Sequence, residues 1–226
     1  MNDTILFVVK FTIRGSLRFL SHAEMLRVFQ RACVRAGIRV SHSEGFNPRP
    51  KLSLPLPRPV GVEADDELLC LRVLDAGETP SPQADESQMK GELAAQLPEG
   101  CELLSVSIVT DGASFQSCSA TYVLPVRRES LDERLEARVE QLLARETLNV
   151  RRSRYTSGDD KSLRIKNVDV RGFLKSIKLD NRGIIVECKS SPDGSIRVDE
   201  ILELLGLDES KLSGPVRRTN VQWKNY

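Results

Sequence analysis

Residues 4–14 read Thr-Ile-Leu-Phe-Val-Val-Lys-Phe-Thr-Ile-Arg and predict a β-strand, because β-branched and aromatic side chains favour extended backbone. A helix is predicted next, since Ser21 and Glu24 have the spacing of a capping box. Apolar side chains then recur at helical spacing, at Met25, Val28, Phe29, Ala32 and Ala36. Gly37 suits the left-handed residue that ends such a helix. The chain therefore begins with a strand followed by an amphipathic helix.

Outward from this start, the first half is predicted to run β-α-β-β-α-β, which is the order of a ferredoxin-like fold. Its remaining elements are strands at 52–57, 67–74 and 103–109 and a helix at 86–96. The order roughly repeats after a linker at 110–117, with strands at 119–127, 148–155, 174–179, 183–189 and 217–223, helices at 130–145 and 198–205, and an inserted piece at 162–172. We therefore predict an α+β protein with two ferredoxin-like domains in tandem, 1–111 and 112–226, the second carrying an insertion.

The charge of the 226-residue chain is nearly balanced, at a net +1, but it is unevenly distributed. Residues 1–60 hold ten Lys/Arg and three Asp/Glu, whereas residues 61–103 hold two and eleven. The total excludes a histone-like tail and an acidic solvating chain, and it leaves room for a local basic surface.

The cysteines and the N-terminus bear on cofactors and location. Five cysteines and two histidines show no C-x-x-C or cluster-binding spacing, so we expect no metal and no cofactor in this chain. The cysteines are interpreted as apolar fillers in a reduced compartment. The first ten residues do not resemble a signal peptide, and no apolar segment is long enough for a membrane helix. We expect a cytoplasmic protein without a membrane partner.

The predicted first helix carries a stripe of arginines on the side away from its apolar residues, at Arg27, Arg31 and Arg35. Like charges at this spacing repel, and a bound anion would reverse the penalty. A solvated helix face is the alternative.

A loop at 41–51 is the next candidate for binding, because two prolines stiffen it and cations surround an aromatic side chain. Its candidate binding residues are His42, Phe46, Asn47, Arg49 and Lys51. Stacking combined with positive charge is how proteins hold single-stranded RNA. In the alternative, the loop is a structural turn and Phe46 packs into the core.

A second basic region covers 151–182, with ten basic and four acidic side chains. Arg151, Arg152 and Arg154 precede Tyr155, a candidate stacking aromatic. These four residues complete the predicted RNA- or anion-binding set.

Catalytic motifs are scarce in the sequence, which lacks a catalytic triad order, a nucleophile elbow, a P-loop and G-x-G-x-x-G. His22 and His42 are the remaining catalytic candidates, and His22 is preferred because a histidine at a helix start can act as a general base near neutral pH. A structural histidine that bonds nearby backbone is the alternative.

Four segments of the first half form a recognisable set of motifs: Arg18-Phe-Leu-Ser-His-Ala-Glu-Met-Leu-Arg27, the helix 29–37, His42-Ser-Glu-Gly-Phe-Asn-Pro-Arg-Pro-Lys-Leu-Ser53 and 54–63. They resemble the radical-SAM-linked domain family, which is uncharacterised and occurs alone or fused behind cobalamin-binding radical SAM enzymes. Glu24 stands where the family has Asp, and Arg49 stands where it prefers His. The resemblance implies a radical SAM partner that would itself carry the iron–sulfur cluster.

Three functions remain open from the sequence. The leading one is a non-enzymatic accessory protein that binds RNA, with no DNA binding expected, in the modification or processing of tRNA or rRNA. The second is a metal-independent RNA-processing or RNA-modifying enzyme that uses His22. The third is a protein-interaction module that docks a radical SAM enzyme through the acidic block 63–102 or the prolines of 55–59.

Overall fold

The computed structural model describes residues 4–74, 82–109, 112–155, 163–181, 183–191 and 194–226. These residues form a mixed α+β structure, mostly sheet, so the predicted class is confirmed. The helices are α1 (His22–Arg35), α2 (Pro82–Ala94), α3 (Glu133–Ala144) and α4 (Val198–Leu205). The strands are β1 (Thr4–Ile13), β2 (Leu52–Ser53), β3 (Glu63–Leu74), β4 (Leu103–Val109), β5 (Phe115–Leu124), β6 (Asn149–Tyr155), β7 (Leu163–Asp169), β8 (Leu174–Asp180), β9 (Gly183–Ser191), β10 (Gly194–Ser195) and β11 (Arg217–Asn225). None of the helices in the described ranges is long and apolar enough to cross a membrane.

The chain divides into two compact units. The first contains the residues up to Ser117 together with Arg217–Tyr226, and the second contains Cys118–Val216. In the first unit β1 pairs antiparallel with both β3 and β4, and β2 pairs antiparallel with β3. β11 runs parallel to β3, with Arg217 opposite Glu63. The last strand of the chain therefore completes the sheet of the unit that contains the first strand.

The helix α1 covers this sheet as its sequence predicts. The Ser21 side chain accepts the Glu24 N–H and the Glu24 carboxylate accepts the Ser21 N–H, so the capping box is present. Gly37 has a φ of 70°, the left-handed conformation expected just past the helix end. Phe29 packs edge-on against Phe11 of β1, with ring centroids 4.7 Å apart, in the centre of the core. The helix and the sheet are joined by these apolar contacts.

The strand predicted at 52–57 is much shorter than expected, because only Leu52 and Ser53 pair with β3. Proline lacks the backbone N–H that a ladder needs, and Pro55 and Pro57 follow within four residues. The chain leaves the sheet there and continues as the loop that carries Arg58.

A buried arginine, Arg218, holds that loop and β11 against β3. Arg218 is 1% exposed and donates to both carboxylate oxygens of Glu67, at 2.6 and 2.7 Å, and to the carbonyls of Leu56 and Pro57. Burial raises the pKa of Glu67, while the charge and hydrogen bonds of Arg218 oppose the rise. The Glu67–Arg218 pair thus fixes the last strand to the third.

The second unit has a sheet in which β9 pairs antiparallel with β5, β8 and β10. The helix α3 contacts α4 and β8, and its buried side chains are Leu135, Val139 and Leu142. The piece predicted as an insertion contains β7, which pairs antiparallel with β6 in a separate two-stranded sheet. Part of the basic stretch 151–182 therefore lies on these two paired strands.

Candidate nucleic-acid interface

The loop 41–51 is closed by hydrogen bonds between its two ends. The Ser43 N–H donates to the Arg49 carbonyl at 2.8 Å, and the Arg49 N–H donates to the Ser43 Oγ at 2.9 Å. The Lys51 N–H donates to the Ser41 carbonyl at 2.7 Å. Gly45 adopts a φ of 112°, which allows the turn at the tip. The loop is a short hairpin whose tip residues, 44–48, are all exposed.

The tip of this hairpin presents an aromatic ring to solvent. Phe46 is 105% exposed, so the alternative in which it packs into the core is wrong. His42, Asn47, Arg49 and Lys51 are exposed around it. A fully exposed Phe among cations has the composition of a surface that stacks on a base and neutralises a phosphate.

The arginine stripe of α1 is divided between solvent and an intramolecular contact. Arg27 and Arg31 are exposed. The Arg35 guanidinium donates to the Gln96 carbonyl at 2.5 Å and to its side-chain oxygen at 3.3 Å. Arg35 therefore fastens the end of α1 to the segment after α2, and a ligand would have to compete for it.

In the second group of basic candidates, at 151–155, one arginine is exposed and another forms an ion pair within the chain. Arg151 is exposed, and Arg152 makes a bidentate pair with the buried Glu200 of α4, at 2.6 and 2.9 Å, and donates to the Ser195 carbonyl. The side chains of Arg154 and Tyr155 lie outside the described residues, although the backbone register places Arg154 opposite Arg164. Arg152 is used inside the second unit, where it joins the hairpin to α4.

The Arg152–Glu200 pair predicts a pH dependence of stability. Burial alone would raise the pKa of Glu200, but the hydrogen bonds from Arg152 and the Arg197 N–H, with the Arg152 charge, lower it overall. The pair's contribution is therefore complete above the unfolded-state pKa of about 4.5 and is lost as the pH falls through the lower folded-state value. We expect Glu200→Gln to lower the stability of the second unit by about 1–3 kcal/mol at neutral pH and by less at about pH 3, where part of the pair's contribution is lost.

Hydrogen exchange of the α4 amides at the two pH values measures this difference. Glu203→Gln, an exposed change in the same helix, is the control. An equal loss for Glu200→Gln at both pH values would contradict the assignment.

His22 lies at the start of α1 beside a very small cavity. Its Nδ1 is buried and has no hydrogen-bond partner among the described residues. The cavity has a volume of about 10 Å³ and is lined by Ser21, Met25, Arg58 and Glu67, among others. This volume suffices for about one water molecule, so it gives a nucleotide no access to Nδ1.

A much larger groove lies at the base of the loop 41–51, and most of its residues were not predicted. Its volume is about 490 Å³, within the range of ligand-binding sites. The lining residues are Leu6, Pro50, Lys51, Leu52, Ser53, Pro55, Cys70, Arg72, Ala113, Ser114 and Phe115. Of these, Lys51 is a predicted RNA-binding residue and Pro55 belongs to the proline segment considered for protein docking. Arg72 is a single basic residue within a predicted strand and gives no distinct signal.

The cysteines occupy several environments. Cys33, Cys101 and Cys188 are buried, Cys70 is half-buried, Cys118 is exposed, and all five are free thiols. Burial raises the pKa of the Cys70 thiol to about 11, although a hydrogen bond with Ser53 opposes the shift. In the described part of the chain, no three His, Cys, Asp or Glu side chains are grouped so that they could hold a metal ion.

Comparison with known proteins identifies a family. No curated protein matches the chain. A family model described as "Uncharacterized protein conserved in bacteria (DUF2344)" matches residues 7–202, which is most of the chain. The chain therefore belongs to the DUF2344 family.

Proposed function

We propose that this protein binds single-stranded RNA through the loop 41–51 and serves as an accessory protein to a radical SAM enzyme in the cytoplasm. The observation that carries the proposal is the fully exposed Phe46 at the tip of a hydrogen-bonded hairpin lined by exposed cations. The protein would hold no cluster or metal of its own, and the partner enzyme would supply the radical chemistry.

The energetics of Phe46 favour a binding role. Leaving a Phe side chain in water forgoes about 1.5–3 kcal/mol that burial would provide. Stacking on a base recovers about 1–3 kcal/mol per base, and the ring accepts any base because every base has a π-face. The paired ends of the loop limit the ordering cost on binding, because the hairpin is already closed in the free protein.

The cations determine how the interaction depends on salt. Arg49 and Lys51 lie on the hairpin, and Arg27 and Arg31 lie on α1 of the same unit. Each phosphate neutralised on a single strand contributes roughly −0.7 to the slope of log K against log salt. We therefore expect affinity that falls steeply with salt, together with a stacking contribution that does not.

The partner and the fold are also part of the proposal. The motifs at 18–27 and 42–53 resemble those of radical-SAM-linked domains, and this resemblance supports a radical SAM enzyme as the partner. We propose that the first unit is ferredoxin-like, because its strand order β4-β1-β3-β2 and its antiparallel pairings are those of a split βαβ unit. The second unit would be a relative of it in which the β6–β7 hairpin is added.

A fluorescence-anisotropy titration with labelled tRNA and rRNA fragments at two salt concentrations tests RNA binding. We expect Phe46→Ala to weaken binding by about 5- to 150-fold at either salt concentration, which corresponds to the loss of about 1–3 kcal/mol of stacking. We expect Arg49→Ala combined with Lys51→Ala to reduce the salt slope by roughly 1.4.

Phe19→Ala is the matched control, because Phe19 is also an exposed aromatic of the first unit, at 58%, but lies outside the hairpin. The absence of binding at low salt would refute the proposal. Equal losses for Phe46→Ala and Phe19→Ala would refute the assignment to the hairpin.

A further inference from the structure

The strand β4 lies at an edge of the sheet in the first unit. It pairs antiparallel with β1, and no second strand among the described residues pairs with it. The Ile108 N–H and the Leu104 carbonyl bond to side chains of α2 and therefore face away from β1. Residues two apart in a strand direct their backbone groups to the same side, so those of Val106 face outward as well. These groups of Leu104, Val106 and Ile108 form the outer edge of β4.

The composition of β4 suits pairing with another chain. Residues 103–109 read Leu-Leu-Ser-Val-Ser-Ile-Val, with no charged residue, no proline and no glycine. Seven-residue segments of this kind pair with copies of themselves when their backbone groups are open. Leu104 is 45% exposed, so apolar surface lies beside the outer edge. The occupant that this sequence favours is the same strand of a second copy of the chain.

Two charged side chains of α2 occupy the outer edge. The Ile108 N–H donates to Glu86 Oε1 at 2.7 Å, and Lys90 Nζ donates to the Leu104 carbonyl at 2.8 Å. Glu86 and Lys90 lie four positions apart, so they project from one side of the helix. Because each bond includes an ionised group, it is stronger than a bond between neutral groups. A second chain would have to displace both side chains before it paired with β4.

A β-bulge lies at the same place. Ser105 is opposite Lys10 and Leu103 is opposite Phe11, so Leu104 is an extra residue in β4. Bulges and charged side chains are both means by which proteins prevent edge strands from pairing with other chains. The Lys90 ammonium bonds to the carbonyl of the bulged residue itself. The edge is therefore interrupted in its backbone and covered by a cation at one position.

We infer that Glu86 and Lys90 keep the protein from pairing edge to edge with a second copy of itself through β4. The inference does not depend on RNA binding, because none of these residues belongs to the loop 41–51. When both side chains are shortened, the Ile108 N–H and the Leu104 carbonyl become available together with the groups of Val106. Self-association follows, and its extent rises with protein concentration.

Sedimentation velocity of the full chain over a series of concentrations tests this inference. We expect Glu86→Ala combined with Lys90→Ala to raise the self-association constant by about tenfold or more, since two bonds to charged groups no longer compete with the second chain. Gln88→Ala combined with Glu92→Ala is the matched control. Gln88 donates to Glu92 at 2.8 Å on the same helix, and both side chains are exposed. The control should behave as the parent does.

Two further variants assign the effect to the outer edge. Ser107 is exposed in β4, and a charge on an edge strand opposes pairing, so Ser107→Lys added to the Glu86→Ala and Lys90→Ala changes should restore the parent's behaviour. Glu86→Gln keeps an oxygen that accepts the Ile108 N–H. Hydrogen exchange at the Ile108 amide should therefore be several-fold faster in Glu86→Ala than in Glu86→Gln. Thermal midpoints establish that each variant is folded.

Each of the other outcomes overturns the inference. Equal association of the Glu86/Lys90 variant and the Gln88/Glu92 control means that these side chains do not block pairing. Association that persists with Ser107→Lys uses another surface. If the parent associates and Ser107→Lys alone prevents it, the edge is already open. If the double variant does not fold, Lys90→Ala is compared with Gln88→Ala, and equal association of these two contradicts the inference.

Discussion

Removing either partner of the Glu67–Arg218 pair is expected to destabilise the first unit by about 3–5 kcal/mol. Both side chains are buried, at 4% and 1% exposure, so the remaining charge would be left in an apolar interior. Arg218→Met leaves Glu67 with the nearby charge of Arg58, whereas Glu67→Gln leaves two arginine charges together. We therefore expect Glu67→Gln to be the more damaging of the two.

Replacing both partners is expected to restore most of the stability. Glu67→Leu with Arg218→Met removes both charges and fills the space with apolar groups, a change that is often neutral or stabilising for a buried pair. The carbonyls of Leu56 and Pro57 would still lose the Arg218 donor, so recovery should be incomplete. The expected result is a large favourable coupling between the two positions.

Denaturant unfolding followed by tryptophan fluorescence measures this cycle, whose variants are Glu67→Leu, Arg218→Met and the two changes combined. Trp223 is the only tryptophan of the chain and lies in β11, the strand that Arg218 anchors. If the single changes and the double change are additive, the pair is not the interaction that fixes β11 to β3. If Glu67→Leu proves too unstable to purify, Arg218→Met and the double variant alone still decide whether the second change restores stability.

The sequence predicts the elements that are set by local signals. The bounds of β4 and α4 match the predicted segments, and α1 begins and ends where the capping box and Gly37 place it. These signals depend on a few neighbouring residues, and the tertiary structure leaves them unchanged. The same local signals led to the correct prediction of the α+β class.

The sequence does not predict strands whose charged side chains form ion pairs with residues far away along the chain. β3 begins at Glu63, before its predicted start at 67, through Ala64-Asp65-Asp66 that looks like a loop. In the fold, Asp66 pairs with Lys10 at 2.9 Å and Glu67 pairs with Arg218, which lies 151 positions away. An ion pair between residues so far apart leaves no periodic pattern in the local sequence. Charged residues such as Asp66 and Glu67 are therefore predicted to be exposed to solvent.

The residues of the candidate site divide in the same way, because local signals predict some of them and long-range partners within the chain occupy others. The hairpin residues are predicted as a binding site because prolines, glycine and cations occur together in residues 42–51, and the exposure of Phe46 excludes the alternative in which that ring packs into the core. Arg152 was assigned to the surface, but it contacts Glu200, and Arg35 contacts Gln96. A basic residue in a sequence has no feature that separates binding a phosphate from binding a carboxylate or carbonyl of its own chain.

Arg58 is expected to be the other residue whose loss is severe, because one guanidinium joins two segments of the first unit. Arg58 donates to the carbonyls of Leu17, Arg18 and Leu20 before α1 and to those of Pro59 and Val62 in its own loop. The Gly61 N–H adds a bond of 2.8 Å to the Arg18 carbonyl. The stretch before α1 therefore depends on a side chain forty residues away.

Arg58→Ala leaves these carbonyls without their charged donor, and we expect a loss of about 3 kcal/mol, since hydrogen bonds to charged groups contribute about 1.5–3 kcal/mol each and water recovers a part. Arg58→Lys keeps the charge but has three rotatable donors in place of a planar fork, so it should recover less than half of the loss. Arg39→Ala, at an exposed arginine, should stay within about 0.5 kcal/mol of the parent.

Hydrogen exchange separates the local effect of Arg58 from global unfolding. The amides of Leu20 and Gly61, which bond to the Leu17 and Arg18 carbonyls, should exchange faster in Arg58→Lys even under conditions where the amides of β1 keep their protection. If Arg58→Lys retains full protection at Leu20 and Gly61, the positive charge alone suffices and the fork of hydrogen bonds does not organise this segment. If both substitutions lower the protection of every amide equally, Arg58 stabilises the unit as a whole, and the stretch before α1 has no separate dependence on it.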